Sequence, residues 1–486
     1  MSERIELKQY QAVRTTESDK SDLNNYKMNR EKGQNWRQFL VGVISNLSSI
    51  TVGLCLGWTS AAESKMKNAS ESPLSIFPTV EEFSWISSLL PLGALVGPYI
   101  AGPLADIIGR KWTLLSSSLF FILSFILLIL TCNIPQIFVA RLLQGLGVGF
   151  VMTVQTMYIG EIASDECRGA LGSFMQLGIV IGILYVYCVG PFVSFVAYQY
   201  ICLIVPIVFV ITFFLMPDTP QFYISKNRDA EAIKSLRFLR GKSAEGVQKE
   251  FDLIKKSVAE SLKNKGSIRD LFSNKGNIKA LIISSGLLTF QQLSGINVVL
   301  FYCQSIFEKA GSSLEPAVAT IIVGAVMVFA SGCTPLVVER LGRKLILLFS
   351  AAGMSISLGL LGAFFFLDDQ KNPIVESIKW LPIVSLIAFV FVYCVGFGPL
   401  PWAVSGEVFS PEIKSNASSI ATSICWIFGF IVTKWFALLS AEIGSYGAFW
   451  LFTALCIIAF IFTMTTVIET KGLSLQQIQD RLNGRR

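Results

Sequence analysis

Twelve apolar stretches, each about long enough to cross a lipid bilayer as a helix, occupy most of this chain of 486 residues. A bilayer core takes about 20 apolar residues per helical span. Backbone polar groups inside a bilayer must bond within their own segment, which favours helices. The sequence therefore predicts an all-α membrane protein with twelve transmembrane helices, at residues 37–58, 83–104, 112–132, 136–158, 171–190, 197–216, 278–304, 315–338, 345–367, 381–402, 416–439 and 446–468.

Composition limits the chemistry that the chain can perform. Charged residues make up only 15% of it, whereas soluble domains carry about 25%. The chain has no His, the residue most used as zinc ligand and general base. Its ten Cys are scattered singly, without a CxxC pair. We therefore expect neither an enzyme nor a bound metal or other cofactor.

The distribution of Lys and Arg predicts the orientation, because cytoplasmic loops carry the excess. With the N-terminus inside, the tails and inner loops hold 33 of the 40 Lys and Arg residues, and the outer loops hold five. The first apolar run follows a polar tail and is too long for the core of a cleavable signal peptide. We expect a multi-pass protein of the plasma membrane with both termini in the cytoplasm. The net charge of +7 then reflects orientation and predicts no nucleic-acid partner.

One long polar segment, residues 217–277, divides the twelve stretches six and six. Its portion 229–265 is rich in Ala, Glu, Lys and Leu, which is typical of short amphipathic helices. The expected organisation is a disordered cytoplasmic tail over 1–35, an N-terminal six-helix half over 36–216, a cytoplasmic linker over 217–277, a C-terminal six-helix half over 278–468 and a cytoplasmic tail over 469–486.

Three charged motifs recur at equivalent places in the two halves, always on the predicted inner face. The first places an acid three residues before a Gly-Arg-Lys run, the second a Gly-Glu pair with a base seven residues after the Glu, and the third an acid before Thr. Glycine permits a tight turn, and the arginine fork suits a carboxylate on a neighbouring helix end. The motifs contain Asp106, Arg110, Glu161, Arg168 and Asp218-Thr219 in the first half, and Glu339, Arg343, Glu407, Lys414 and Glu469-Thr470 in the second.

Seven sequence motifs follow one another along the chain: GPLADIIGRKW from Gly102, GEIASDECRG from Gly160, PDTPQFYI from Pro217, QQLSGINVVLFY from Gln291, VVERLGRK from Val337, GFGPLPW from Gly396 and ETKGLSL from Glu469. Over residues 35–474 they resemble the sugar porter family of the major facilitator superfamily. Further stretches, such as GWTS from Gly57 and LPLGAL from Leu90, are most similar to facilitated trehalose transporters and their hexose-carrying relatives. The resemblance implies the major facilitator fold and alternating-access transport of a small neutral sugar, trehalose or a hexose. No obligate protein partner is evident.

A neutral sugar requires groups that donate and accept hydrogen bonds inside a largely apolar cavity. Side-chain amides are scarce in the predicted spans, and an isolated one more often bonds two helices together. The resemblance implies that five residues contact sugar, namely Gln176, Gln291, Gln292, Asn297 and Trp402. Because each helical residue advances 100°, adjacent glutamines cannot share one stripe. The tenth span is predicted to bend at a segment that contains Gly396, Gly398, Pro399 and Pro401.

Three positions that are polar in glucose carriers of the family are apolar here: Met327, Cys394 and Cys425. This difference argues against simple glucose specificity and is compatible with another sugar, such as a disaccharide. Proton-coupled members carry an Asp at the position of Thr59, and Arg141 of the fourth span matches a family Arg. Without that acid, we expect a structural role for Arg141.

No Asp or Glu lies at mid-membrane depth in the predicted spans, so we expect facilitative uniport rather than ion coupling. The alternatives are proton-coupled transport of a sugar or polyol, and a sugar sensor that does not transport. Sensors of the family carry long tails, whereas about 18 residues follow Ile468 here.

The resemblance also implies that the paired charges of the inner face close an inner gate while the site faces outward, and separate when it opens. In the first outer loop, Asn68 begins an acceptor sequon for N-glycosylation, Asn68-Ala69-Ser70. The other sequons begin at Asn46, within a span, and at Asn416, on the inner side. Asn68 alone is therefore the expected glycosylation site.

Overall fold

The computed structural model describes residues 34–68, 72–74, 77–164, 166–263, 269–311, 313–410, 413–473 and 475–483. Within this part, twelve helical segments are long and apolar enough to cross a membrane. Every regular element among the described residues is helical, so the predicted fold class is confirmed. Residues 1–33 lie outside the described part, and the predicted disorder of the tail stays an expectation.

Nineteen α-helices follow one another along the described chain. The first six are α1 (Asn35–Lys67), α2 (Val80–Ile108), α3 (Arg110–Ile129), α4 (Ile134–Ile162), α5 (Arg168–Val189) and α6 (Phe195–Phe213). The linker segment contains α7 (Pro220–Ser225), α8 (Asp229–Arg240), α9 (Ala244–Lys263) and α10 (Asp270–Ser273). The remaining helices are α11 (Lys275–Leu293), α12 (Ile296–Ala310), α13 (Pro316–Leu341), α14 (Arg343–Asp369), α15 (Leu381–Val395), α16 (Leu400–Val408), α17 (Lys414–Glu442), α18 (Gly444–Thr466) and α19 (Leu475–Leu482).

The seventh and tenth spans are each built from two helices. The seventh consists of α11 and α12, which separate at Gly295, where φ is +81°, a left-handed conformation that suits glycine. A Cβ at this position would also lie 2.9 Å from the ring of Phe452. The tenth consists of α15 and α16, which separate over residues 396–399, where the sequence predicts a bend. The break in the seventh span is not predicted, because a single glycine in an apolar run is no reliable break signal.

Paired glycines allow close helix packing in the first half. A Cβ on Gly53 of α1 would lie 2.0 Å from the carbonyl oxygen of Ile179 on α5, and one on Gly182 would lie 2.1 Å from that of Ile50. α2 and α4 approach each other in the same way. Small residues let membrane helices pack backbone against backbone. The first half is therefore a tightly packed body.

The linker helices and the described chain ends lie at one end of the bundle, which we call the linker face; the other end is the opposite face. The guanidinium of Arg240 on α8 donates to the carbonyl of Ile162, at the end of α4, at 2.8 Å. The backbone N–H of Gln34 donates to the carbonyl of Arg240 at 2.8 Å. The predicted amphipathic segment forms α8 and α9, and their residues Ala232, Leu236, Val247 and Phe251 share an apolar cluster with Ile224 of α7.

The two halves meet through three helix pairs, α1 with α12, α2 with α17 and α5 with α13. Toward the opposite face α5 and α13 touch, since a Cβ on Gly324 would lie 3.1 Å from Leu184 and from Tyr187. Toward the linker face, Gly172 of α5 and Gly332 of α13 have no described atom within 4 Å of a Cβ position. These two helices therefore pack together at the opposite face, and the two glycines nearer the linker face are exposed.

Candidate functional site

A buried polar cluster forms where the seventh span breaks. The Nε2 of Gln292 donates to the Sγ of Cys425 at 3.2 Å, and the Nδ2 of Asn297 donates to the Oε1 of Gln292 at 2.6 Å. Gln292 lies at the end of α11 and Asn297 at the beginning of α12, so the break brings the two amides together. Gly429 on α17 keeps the space open, because a Cβ there would lie 3.2 Å from that same Oε1.

Gln291 connects this cluster to the break in the tenth span. Its Nε2 donates to the carbonyl oxygens of Phe397 and Gly398, both at 2.7 Å, in the segment between α15 and α16. The Sγ of Cys425 donates to its Oε1 at 3.9 Å. The adjacent glutamines therefore direct their Nε2 groups to different partners, as the helical step requires, yet Cys425 lies against both.

Trp402 and Gln176 occupy different positions relative to the cluster. Trp402 on α16 packs, half-buried, against Leu288 and Cys425, which places its indole beside the cluster. Gln176 lies on α5 in the other half and is half-buried. No contact joins Gln176 to the other four predicted residues in the described part of the chain, so the structure does not bring it into the cluster.

Three residues were expected to be apolar replacements of polar contacts. In the structure, all three are buried, and one of them forms hydrogen bonds to the amide cluster. Met327 and Cys394 are buried, at 1% and 0% exposure. Cys425 is also buried, but its thiol bonds both glutamines. This role is not predictable from the sequence, because a cysteine within a span is more often an inert apolar residue.

Arg141 on α4 is fully buried within the first half. Its guanidinium donates to the carbonyls of Cys55 and Ile86, both at 2.9 Å, and to Oε1 of Gln144 at 2.7 Å and Oγ1 of Thr59 at 3.0 Å. These bonds join α4 to α1 and α2. Such bonding is that of a structural residue, and Thr59 gives it a neutral partner at the position where proton-coupled relatives carry an acid.

The first helix runs to Lys67 rather than ending at the predicted residue 58. The extension makes Glu63 a buried acid of a spanning helix, at 6% exposure. Its Oε1 accepts a hydrogen bond from Nζ of Lys67, and its Oε2 accepts one from Oγ of Ser305 on α12, both at 2.7 Å. Glu63 lies toward the opposite face and joins the two halves there. It was missed because the polar residues after Trp58 ended the predicted span.

Further hydrogen bonds between the halves surround Glu63. They join Gln304 N to Ser60 Oγ at 3.1 Å, Ser64 Oγ to Glu308 Oε1 at 3.1 Å, Tyr302 Oη to Ser87 Oγ at 3.1 Å, and Lys434 Nζ to Ser84 Oγ at 2.8 Å. Asn68 is exposed at the end of α1 on the same face. Because Ala69 and Ser70 lie outside the described residues, the glycosylation site stays an expectation.

The first half carries a polar network at the linker face. Arg110, at the beginning of α3, donates from Nε to Oε1 of Glu161 on α4 at 3.1 Å, and its Nη1 lies 3.3 Å from Asp106 Oδ1. The hydroxyl of Thr219 donates to Oε2 of Glu161 at 2.5 Å. Three spans of one half are thus bonded together at their ends.

The second half repeats this network. Arg343, at the beginning of α14, donates to Oε1 of Glu407 on α16 at 3.0 Å, and the hydroxyl of Thr470 donates to Oε2 of Glu407 at 2.6 Å. Every one of these ion pairs lies within one half. The expectation that such pairs separate when the inner face opens stays a prediction.

The other three predicted gate residues lie in the first or last turn of a helix. Glu339 lies in α13, but its side chain is outside the described part of the structure. Lys414 begins α17; burial lowers the pKa of its amine, and the charge of Glu407 opposes this change. Arg168 begins α5 and is exposed.

An acid after each half's last span caps the beginning of another helix. Oδ1 of Asp218 accepts the backbone N–H of Lys111 at 3.2 Å, in the first turn of α3. The carboxylate of Glu469 accepts the N–H groups of Arg343 and Lys344, both at 3.0 Å, in the first turn of α14. A helix beginning leaves such groups unpaired and favours a negative charge. The sequence pairs these acids by position, but their capping role appears only in the structure.

The pKa values of the two capping acids shift in opposite directions. Burial raises the pKa of Asp218, against hydrogen bonds from Thr219 and Lys111. Burial also acts on Glu469, but backbone N–H groups outweigh it and lower the pKa of Glu469. In both halves a glycine precedes the capped helix: Gly109 has φ +102° and Gly342 has φ +89°.

Comparison with known proteins identifies relatives of this chain. The family described as "Sugar (and other) transporter" matches residues 23–482. The facilitated trehalose transporter Tret1 of Culex quinquefasciatus is 38% identical over 450 residues, which cover 92% of this chain and 86% of that protein. Tret1 of Anopheles gambiae is 37% identical over 472 residues, 97% of this chain but 59% of that protein. The chain thus spans somewhat more than half the length of that relative.

Solved structures agree on the fold. The proton:xylose symporter XylE of the major facilitator superfamily, bound to 6-bromo-6-deoxy-D-glucose, is similar with a TM-score of 0.75 at 23% identity, covering 92% of this chain and all of that one. An inward open conformation of XylE from E. coli has a TM-score of 0.74 at 23% identity, over 91% of this chain and 99% of that one. Because the family model matches most of its length, the chain belongs to the family described as "Sugar (and other) transporter", and it shares the fold of XylE.

Proposed function

We propose that the protein is a facilitative transporter that carries a neutral sugar across the membrane by alternating access. The observation that carries the proposal is the cluster of Gln291, Gln292 and Asn297 beside Trp402, at the breaks of the seventh and tenth spans. Its amides donate and accept hydrogen bonds, and the indole offers a flat apolar face. Such a combination suits a ring with several hydroxyl groups. Gln176 would complete the site from the other half.

Trehalose or a hexose is the proposed substrate. The curated relatives named above are facilitated trehalose transporters. The sulfur of Cys425 and the thioether of Met327, at positions that are polar in glucose carriers, favour a sugar other than glucose alone. A polyol is the second candidate, because an amide cluster binds any set of hydroxyl groups.

Uniport is the proposed mode of transport. Arg141 bonds to neutral groups alone among the described residues, and Thr59 occupies the place of a coupling acid. The buried acid Glu63 is paired with Lys67 and lies toward the opposite face, away from the amide cluster. An ion-coupled carrier needs an acid whose proton exchanges along the path of the solute.

The linker face is proposed to be cytoplasmic, with both chain termini inside and the protein in the plasma membrane. The excess of Lys and Arg at this face supports the orientation. Residues 36–216 and 278–468 would then move as two bodies, and the networks of Glu161 and Glu407 would brace each body at its cytoplasmic end. The hydrogen bonds between the halves at the opposite face, such as that from Ser305 Oγ to Glu63, support a state that is closed at that face.

Transport by purified protein in liposomes tests the function. Labelled trehalose, glucose and a polyol are offered separately, with and without a proton ionophore. We expect one sugar to equilibrate without accumulating, and the ionophore to have no effect. Binding without uptake would indicate a sensor, and accumulation that the ionophore abolishes would indicate proton coupling.

A further inference from the structure

A cavity of about 200 Å³ opens at the opposite face, apart from the amide cluster. Its mouth lies among Lys67, Val80 and Lys309, which are exposed. Neither Gln291 nor Gln292 lines it. Helices of both halves form its walls, so we call it the interhalf cavity.

Aromatic rings form the floor of the interhalf cavity. The ring centroids of Phe83 and Tyr302 are 6.0 Å apart, and those of Tyr302 and Phe436 are 5.3 Å apart. Phe449 continues the row, 6.3 Å from Phe436, and stacks on Phe365 at 5.6 Å. All five rings line the cavity and are buried. They offer an apolar surface on which the C–H face of a small ring can pack.

Polar groups also line the interhalf cavity. The carboxylate of Glu63 and the hydroxyls of Thr79, Ser305, Ser440 and Ser445 line the cavity. Together they supply both donors and acceptors, as a polyhydroxy solute requires. The volume is below the range of about 300–1,000 Å³ that is typical of pockets for drug-sized ligands. One sugar ring therefore suits it better than a disaccharide.

We propose that the interhalf cavity is a second sugar site, which binds one neutral sugar ring from the extracellular side and holds the carrier closed at that face. This inference rests on the proposed function. Glu63 and Phe83 belong to the first half, and Ser305 and Phe436 to the second. The cavity therefore exists only while the halves are together at the opposite face. A ligand that binds one of two states stabilises that state.

The kinetic consequence is inhibition by external sugar. After releasing sugar inside, the empty carrier must open outward again before the next cycle. External sugar in the interhalf cavity blocks this step. When its concentration equals the dissociation constant of the cavity, half of the inward-facing carriers are occupied, and the rate of return falls about twofold.

Initial rates of glucose and trehalose uptake into liposomes, measured up to high external concentration, test the inference. We expect the rate to rise, pass through a maximum and then fall, with glucose giving the stronger inhibition. Ala441→Leu narrows the exposed rim and Ala437→Leu narrows the wall of the cavity. Either substitution should remove the falling part of the curve. Ala454→Leu, on an exposed position of α18 outside the cavity, is the matched control and should keep it.

The outcomes separate this inference from the proposed function. If the parent takes up sugar along a simple saturation curve, the cavity site is wrong and transport stands. If the falling part persists in both cavity variants, the inhibition arises elsewhere and the inference is likewise wrong. Absence of uptake at every concentration would instead overturn the proposed function.

Discussion

Replacing Gln292 by alanine tests the amide cluster most directly. The side chain of Gln292 bonds Asn297 on one side and Cys425 on the other, at 2.6 and 3.2 Å. Alanine removes both bonds but leaves the backbone of α11 unchanged. A bound sugar would then lose one hydrogen-bond partner in a largely apolar cavity.

The size of the effect follows from which bonds matter for affinity. Asn297 loses its partner whether or not sugar is present, so that loss affects stability rather than binding. The sugar hydroxyl loses its partner only in the complex. An unpaired buried polar group costs about 1–3 kcal/mol, which corresponds to roughly a 5- to 150-fold loss of affinity. Gln291→Ala should cost a similar amount of affinity but more stability, because it releases the carbonyls of Phe397 and Gly398 at the tenth-span break whether or not sugar is bound.

Equilibrium binding of labelled sugar to purified protein measures this loss, and uptake into liposomes supports it. The matched control is Gln199→Ala on α6, which removes another buried amide, bonded to Nε1 of Trp58 at 2.8 Å. The control should lower the thermal stability and leave the affinity for sugar unchanged. Parental affinity in folded Gln292→Ala protein, or equal losses of affinity in both variants, would refute the assignment.

Four further predictions address topology, coupling and the linker face. Asn68→Gln should abolish a glycosidase-induced gel shift, and a shift that survives would contradict the topology. Sugar uptake should be insensitive to a proton ionophore, and accumulation against a gradient would refute uniport. Glu161→Gln with Glu407→Gln should lower the melting temperature without raising cysteine accessibility from the linker face, because the pairs lie within each half; a rise in accessibility with unchanged stability would show latches instead. Gly342→Ala should destabilise the protein by about 1–3 kcal/mol, since φ is +89° there, and a stable variant would show that the backbone relaxes.

The number of spans and the bend of the tenth span follow from the sequence, because apolar length and the Gly-Pro segment are local signals. The end of the first helix and the break in the seventh span do not follow from the sequence. The first helix continues past Trp58 to Lys67 because its polar residues bond the other half. Such contacts join residues far apart in the chain, and a pattern of neighbours cannot predict them.

The candidate site likewise has features that the sequence predicts and features that depend on the packing of the helices. The amides are identifiable by their rarity and by motif, but the thiol of Cys425 between two glutamines depends on how α17 packs against α11. The charged motifs of the linker face are predictable as pairs from their repetition. That Glu161 pairs with Arg110, and Glu407 with Arg343, within each half is a property of the packed helices.

Arg141 places a positive charge deep in the membrane-spanning part of the first half. Its four described hydrogen-bond partners are neutral, so its positive charge is solvated by dipoles but not cancelled. A fixed positive charge deep in a membrane protein repels cations, as in pores that exclude protons. Under the proposed function, this charge would oppose the passage of sodium ions and protons through the first half while leaving a neutral solute unaffected.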